Sequence, residues 1–180
     1  MNTPILETER LLLRPFSMND AKDVFECWGN DPEVAKYMFW SCHENIKETE
    51  EWLFFETSQI EKNDWYRFAV VLKNEGRLIG TVLIYFEREI EDWEIAYNFG
   101  KKYWGNGYAT EAMQKVIAFA VNDLHISEII GRYAAENPRS GNVMNKLGFR
   151  YEKDIPYKCN NGAVIRNGIQ CRLLLQQEKR

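Results

Sequence analysis

The stretch Trp93–Leu124 reads WEIAYNF, then GKKYWGNGYAT, then EAMQKVIAFAVNDL, and the remaining sequence is arranged around it. In the first piece Trp93, Ile95, Tyr97 and Phe99 alternate with Glu94, Ala96 and Asn98. A period of two is that of a strand with an apolar and a more polar face. The last piece carries Ala109, Ala112, Met113, Val116, Ile117, Ala120, Val121 and Leu124 at helical spacing. Those positions lay one continuous apolar stripe along a helix of about four turns. Gly105 and Gly107 lie in the loop between them, directly before the helix.

Strand, glycine loop and helix in that order can grip an anion. The first N–H groups of a helix have no internal partners, and the peptide dipoles place about half a positive charge there. Glycine lets the backbone approach closely and take up positive φ. Together these make a phosphate cradle out of main chain; the plainer reading is an ordinary strand-to-helix turn. Two nucleotide motifs fail on inspection. A Walker loop needs Gly-Lys-Ser/Thr, which does not occur. A dinucleotide fingerprint needs a third glycine where Thr110 stands, and an apolar strand running up to its first glycine. Here Lys101, Lys102, Tyr103 and Trp104 intervene.

The run Lys102-Tyr103-Trp104-Gly105-Asn106-Gly107 resembles the acyl-CoA loop of the GNAT N-acetyltransferases, written Arg/Gln-x-x-Gly-x-Gly/Ala. Lysine in the first position departs mildly from that pattern but keeps a cation there. The longer run YWGNGYATEA is similar to the branch holding ribosomal-protein N-terminal and spermidine acetyltransferases. A second stretch, from Asn137 through Ser140 and Lys146 to Gly148-Phe149, resembles the family's later acetyl-CoA motif. The resemblance covers most of the chain from Trp65 to Phe149. It implies acetyl transfer from acetyl-CoA to a primary amine of a protein N-terminus, a polyamine or a small molecule. It also implies direct attack in a ternary complex, with no acyl-enzyme.

Roles follow from the resemblance position by position. The loop Lys102, Tyr103, Trp104, Gly105, Asn106, Gly107, Tyr108, Ala109 and Thr110 would hold the diphosphate. Main chain at Tyr97, Asn98 and Phe99 would pair with the pantetheine arm. Asn137 would reach that arm, and Ser140, Asn142 and Asn145 would flank the cofactor. Asn137 also reads as a plain helix cap.

Amide formation needs a neutral amine, a donor for the carbonyl oxygen and a proton for the leaving thiolate. An α-amine of pKa about 8 costs only about 1.4 kcal/mol to deprotonate at neutral pH, and a lysine-like amine about 4.6 kcal/mol. Positioning alone can contribute about 7–11 kcal/mol, so an α-amine could react without a side-chain base. Glu94 is the first candidate base, acting through water, and Glu91 the second. Either also reads as a solvated strand-end carboxylate. Met144 stands where many relatives carry a tyrosine acid, which leaves Ser140 or water as the proton donor. That departure keeps a second function open: a non-catalytic acyl-CoA-binding or regulatory module. No cysteine or serine sits beside a histidine as an activated nucleophile.

The remaining sequence sets bounds. At 180 residues, 45% hydrophobic and 14% aromatic, it reads as one globular domain spanning 1–180. A net charge of −4 argues against nucleic acid as the main partner. Glu87, Glu89, Glu91, Asp92 and Glu94 crowd together, either as a solvated connection or as a patch steering a cationic amine. Cys27, Cys42, Cys159 and Cys171 form no disulfide framework, and neither a signal peptide nor a membrane span is legible, so a cytoplasmic location is expected. No cluster of His, Cys and carboxylates suggests a metal. Members of the resembling family are often dimers, so a homodimer is one expected state.

Glu7–Pro15, Trp65–Leu72, Leu78–Phe86, Trp93–Phe99 and Ser127–Ala135 read as strands. So do Phe149–Lys158 and Ala163–Leu175, across the turn Asn160-Asn161-Gly162. Capping boxes at Ser17–Asp20 and Ser41–Glu44 predict helices to about Trp28 and Lys62, and Asp31-Pro32 opens a short one. The aromatics Tyr37, Phe39, Trp40, Trp52, Phe54 and Phe55, with Met38, are expected mostly in the core. In the resembling family this region lines the acceptor pocket. The expectation is an α/β (α+β) fold, with a mixed, mostly antiparallel sheet of about six or seven strands and helices on both faces.

Overall fold

The computed structural model describes residues 2–175. Eight strands form a single sheet: β1 (Leu6–Glu7), β2 (Leu11–Arg14), β3 (Trp65–Leu72), β4 (Arg77–Glu87), β5 (Asp92–Phe99), β6 (Glu128–Ala134), β7 (Arg150–Cys159) and β8 (Val164–Leu174). Their spatial order is β1-β2-β3-β4-β5-β6-β8-β7, and only β5 and β6 run parallel. The extra strand arises because the expected Glu7–Pro15 strand breaks in two. Thr8 Oγ1 accepts from the Leu11 amide at 2.9 Å, and the Thr8 amide donates to the Leu11 carbonyl at 2.9 Å, closing a tight turn.

Among the described residues five α-helices accompany the sheet: α1 (Ala21–Val24), α2 (Pro32–Ala35), α3 (Ile46–Ser58), α4 (Tyr108–Asn122) and α5 (Pro138–Lys146). On one face α4 buries Ala112, Met113, Val116, Phe119 and Ala120 against Leu13, Phe68, Val82 and Ile95. Each large side chain so buried contributes about 1.5–3 kcal/mol of transfer energy. On the other face Val24, Trp28, Val34 and Leu53 pack on Ala69, Val71 and Leu78. Helices thus cover both faces, and no described helix is long and apolar enough to cross a membrane.

The N-terminal third departs most from expectation. The Ser17/Asp20 capping box forms, but the segment it opens is a 3-10 turn, then α1, then a π turn Phe25–Gly29. Ser41 does not cap α3; its hydroxyl donates to Asn160 Oδ1 at 2.5 Å and accepts from Asn161 at 2.7 Å. Asn45 caps α3 instead, its side chain accepting from the Lys47 amide at 3.0 Å. A tertiary partner outcompeted the local motif. Of the aromatics expected in the core, Trp40 and Trp52 pack against it, whereas Phe39, Phe54 and Phe55 are exposed and Tyr37 and Met38 line a cleft.

One irregularity of the sheet positions everything that follows. β5 and β6 are in register only at Glu94–Ile130 and Ile95–Gly131. Beyond that point β5 stays with β4 through Phe99, and β6 stays with β8 through Ala134. The parallel pair therefore opens into a V.

Candidate active site

At the open end of that V lies a cleft of about 650 Å³. Its walls are the end of β5 (Tyr97, Asn98, Phe99), the loop from Tyr103 through Gly105 to Thr110, and the start of α5 (Asn137, Ser140, Asn142). Loop and α5 are well separated along the chain, yet both motifs of the sequence meet here. The remaining lining comes from Glu33, Val34, Lys36, Tyr37 and Met38, and from Glu136, Pro138, Arg139, Val143 and Lys146. Pro138, Arg139, Val143 and Lys146 belong to the second stretch, and Tyr37 and Met38 to the region expected at the acceptor pocket; no motif marked Glu33, Val34, Lys36 or Glu136.

The loop owes its shape to its glycines. Gly105 and Gly107 have φ of +79° and +80°, a region that costs other residues roughly 1–2 kcal/mol. Space is not the constraint, since a Cβ at Gly105 would meet nothing within 4 Å. Asn106 locks the bend, its side-chain amide donating to the carbonyls of Tyr103 at 3.2 Å and Trp104 at 3.1 Å. Trp104 Nε1 donates to the Phe99 carbonyl at 2.7 Å, fastening the loop to the end of β5. Among the described residues no side chain caps α4, whose first backbone bond runs from the Glu111 amide to the Gly107 carbonyl at 3.0 Å. The amides ahead of Glu111 are left for an anion.

Four expected residues, Glu94, Lys102, Asn106 and Asn145, do not line the cleft. The Lys102 ammonium lies 4.7 Å from the centre of the Tyr103 ring, on the short 3-10 turn before the loop. Asn106 spends its side chain on the bend, and Asn145 is exposed on α5. Arg139 supplies a cation instead, stacked 4.6 Å over the Trp104 ring across the cleft.

The polar face of β5 is not solvated. Glu94 is 5% exposed and Asn98 8%. Glu94 accepts from Tyr85 Oη at 2.8 Å and from Arg132 Nε at 2.9 Å, and Arg132 Nη2 closes a bidentate pair. It sits at the apex of the V, where β5 and β6 part. Three of its roughly four acceptor positions are thus taken. Glu91 lies exposed in the β4–β5 turn, away from the cleft lining. Three of the five crowded acids are ion-paired: Glu87 and Glu94 share Arg132, and Asp92 faces Arg172 at 2.8 Å.

Asn137 is the cap of α5, its side chain accepting from the Ser140 amide at 3.4 Å. Its amide also donates to Ser140 Oγ at 3.0 Å, which leaves the serine proton free to donate elsewhere. Met144 is 3% exposed and packs beneath Gly131 of β6, so it offers the cleft no hydroxyl. Tyr97 Oη donates to the Ser140 carbonyl at 3.4 Å, and burial drives its phenol well above the ordinary tyrosine range.

A parted parallel strand pair beside a helix N-terminus that no side chain caps defines a site for a long carrier with a phosphorylated tail. The residues present fit CoA: two left-handed glycines, free amides, and unpartnered buried polar atoms on the lining residues Asn98 and Tyr103.

Comparison with known proteins agrees. Residues 10–150 match the acetyltransferase (GNAT) domain. The chain is 31% identical over 148 residues to the uncharacterized N-acetyltransferase p20 of Bacillus licheniformis, covering 82% of this chain and 83% of p20. It is similar to the crystal structure of a GNAT-family acetyltransferase from Bacillus anthracis, with TM-score 0.81, 26% identity and coverage of 95% and 98%. A spermidine N-acetyltransferase from Vibrio cholerae, solved with CoA and spermine, has TM-score 0.77 at 20% identity, covering 94% and 98%. The chain belongs to the GNAT acetyltransferase family. It is accordingly an acetyl-CoA-dependent N-acetyltransferase, and catalysis is favoured over a purely regulatory module.

Proposed function

We propose that the chain acetylates a primary amine directly, within a ternary complex, at the apex of the β5–β6 opening. The observation that carries this reading is the coincidence of three features in one cleft: the amide-rich loop, the parted strands and Ser140. When bound, acetyl-CoA supplies the acetyl group as a thioester: a C–S bond breaks, a C–N bond forms, and the amine's proton is lost.

The loop Tyr103–Thr110 holds the diphosphate through main-chain amides, and the backbone of Tyr97–Phe99, with no β6 partner at that level, receives the pantetheine arm. Ser140 Oγ, accepting from Asn137, turns its O–H to hydrogen-bond the departing thiolate, which takes up through water the proton that the amine loses. The N-terminus of α5 assists by favouring negative charge there. Glu94 is fixed as an anion by Arg132 and Tyr85. Its assigned part is to orient the water that takes up the amine's proton. With its lone pairs so engaged, it is a positioning charge more than a free base.

The acceptor enters beside Tyr37 and Met38, which line the cleft. The Vibrio cholerae structure, solved with CoA and spermine, makes a polyamine one class to test; a peptide α-amine is the other, since it needs the least help to lose its proton. A reducing, cytoplasmic setting is supported by four free thiols.

A panel of polyamines, peptides and small amines, read out by release of CoA thiol, tests the reading. The expected result is amine-dependent thiol release with no acetyl group left on the protein. Ser140→Ala should lower kcat by about 10²-fold or more. Acetyl label retained on a cysteine, or no thiol release with any amine, would count against direct transfer.

A further inference from the structure

The diphosphate loop is held from behind by a residue far away in sequence. Arg10, in the turn between β1 and β2, reaches α4 and the loop together. Its Nε donates to Glu111 Oε2 at 2.7 Å, and its Nη2 lies 2.6 Å from the same oxygen. Its Nη1 donates to the carbonyl of Asn106 at 3.1 Å, and its main-chain amide donates to Glu111 Oε1 at 3.1 Å. The guanidinium stacks 4.5 Å from the centre of the Tyr108 ring. It also backs Gly107, where a Cβ would come within 3.6 Å of Nη2. Thr8 Oγ1 donates to Glu111 Oε1 at 2.5 Å, so the whole turn is bolted to the first turn of α4.

We infer that Arg10 and Glu111 form a clamp that pre-sets the left-handed Gly105–Gly107 bend for CoA, making Arg10 a positioning residue for co-substrate binding. The inference rests on the loop being the CoA site. A loop with two glycines at positive φ loses more conformational freedom on ordering than any other sequence would. Contacts that fix it in the free protein remove that cost from binding. The chemistry of the clamp points to position rather than direct charge. Glu111 neutralises the guanidinium, and three of its five donors are already engaged by Glu111 and the Asn106 carbonyl. Burial would raise the Glu111 carboxyl, but hydrogen bonds from Thr8 and Arg10 outweigh it and hold it below the usual range.

Arg10→Met keeps the length of the stem, and Glu111→Gln keeps the shape of its partner. Each should weaken CoA binding about tenfold, the cost of reordering one or two residues. The double variant should be no worse than either single one, because both remove one clamp. Dephospho-CoA should lose as much affinity as CoA. The KM for acetyl-CoA should rise with kcat little changed, and amide exchange at Asn106 and Gly107 should quicken in the free protein.

Calorimetry with CoA and dephospho-CoA on the four proteins, with hydrogen exchange, decides it. Unchanged affinity in both single variants, with wild type binding CoA, overturns the clamp and leaves the proposed function standing. A loss in Arg10→Met confined to CoA, with Glu111→Gln unaffected, overturns it in favour of a direct phosphate contact. Wild type that does not bind CoA overturns both. A variant that fails to fold is replaced by Arg10→Lys, for which partial loss supports the clamp and none overturns it.

Discussion

Gly107→Asp is expected to abolish acetyl-CoA binding, by about 10³-fold, in a protein that remains folded. Two effects add. Gly107 sits at φ +80°, which costs an ordinary side chain roughly 1–2 kcal/mol, somewhat less for Asp. Electrostatic repulsion is the stronger of the two. A carboxylate about 5 Å from a diphosphate oxygen is repelled by about 3 kcal/mol at an effective dielectric constant near 20. The free protein responds differently, because a negative charge favours the N-terminus of α4. Thermal stability should therefore hold, while affinity collapses. Gly107→Asn separates charge from backbone strain, since Asn tolerates a left-handed backbone and is neutral. It should lose about tenfold or less. Calorimetric dissociation constants and melting curves for both variants check this, and an unchanged constant for a folded Gly107→Asp would be incompatible with the loop holding the diphosphate.

The second large effect is on stability. Arg132→Met should cost about 3–5 kcal/mol, because it strands the buried Glu94 carboxylate with Tyr85 as its remaining close partner. For a chain of this size that is a fall in Tm of about 10 °C. Adding Glu94→Gln to Arg132→Met should recover much of the loss, since it removes the uncompensated charge. Differential scanning calorimetry reads both. If Arg132→Met melts with wild type, or if the second substitution deepens the loss, the pair is not the buried ion pair described here.

The sequence disclosed what is local and periodic. The alternation in β5, the apolar stripe of α4 and the Asn-Asn-Gly turn each depend on neighbours a few positions away. The loop was legible because glycine is the residue that enters the left-handed region freely, and Gly105 and Gly107 both occupy it. Asn137 was legible as a cap for the same reason of short range, and it is one.

Contacts distant along the chain were not legible. Glu94 read as a polar strand residue open to water, whereas Arg132 of β6 and Tyr85 of β4 enclose it. Nothing near Glu94 announces a partner 38 positions on. Ser41 satisfied the pattern of a helix cap, but the hairpin tip at Asn160 and Asn161 claimed its hydroxyl. Tyr37 and Met38 read as core because aromatics and methionine usually are; the β7–β8 hairpin strapped over them holds them at the cleft instead. The Asn160 amide donates to the Met38 carbonyl at 3.0 Å, and Tyr157 Oη donates to the Tyr37 carbonyl at 3.1 Å. Arg10 carried no signal at all, because its partners Asn106 and Glu111 lie 96 and 101 positions away.

The most direct measurement is calorimetric titration of the unmodified protein with acetyl-CoA and, separately, with NAD. Both ligands carry an adenosine diphosphate, but only acetyl-CoA has an arm to enter the opening between β5 and β6. Saturable binding of acetyl-CoA at one site per chain, with no heat from NAD, is the predicted result. Silence with acetyl-CoA, or tighter binding of NAD, would contradict the assignment of the Gly105–Gly107 loop and the cleft beside it.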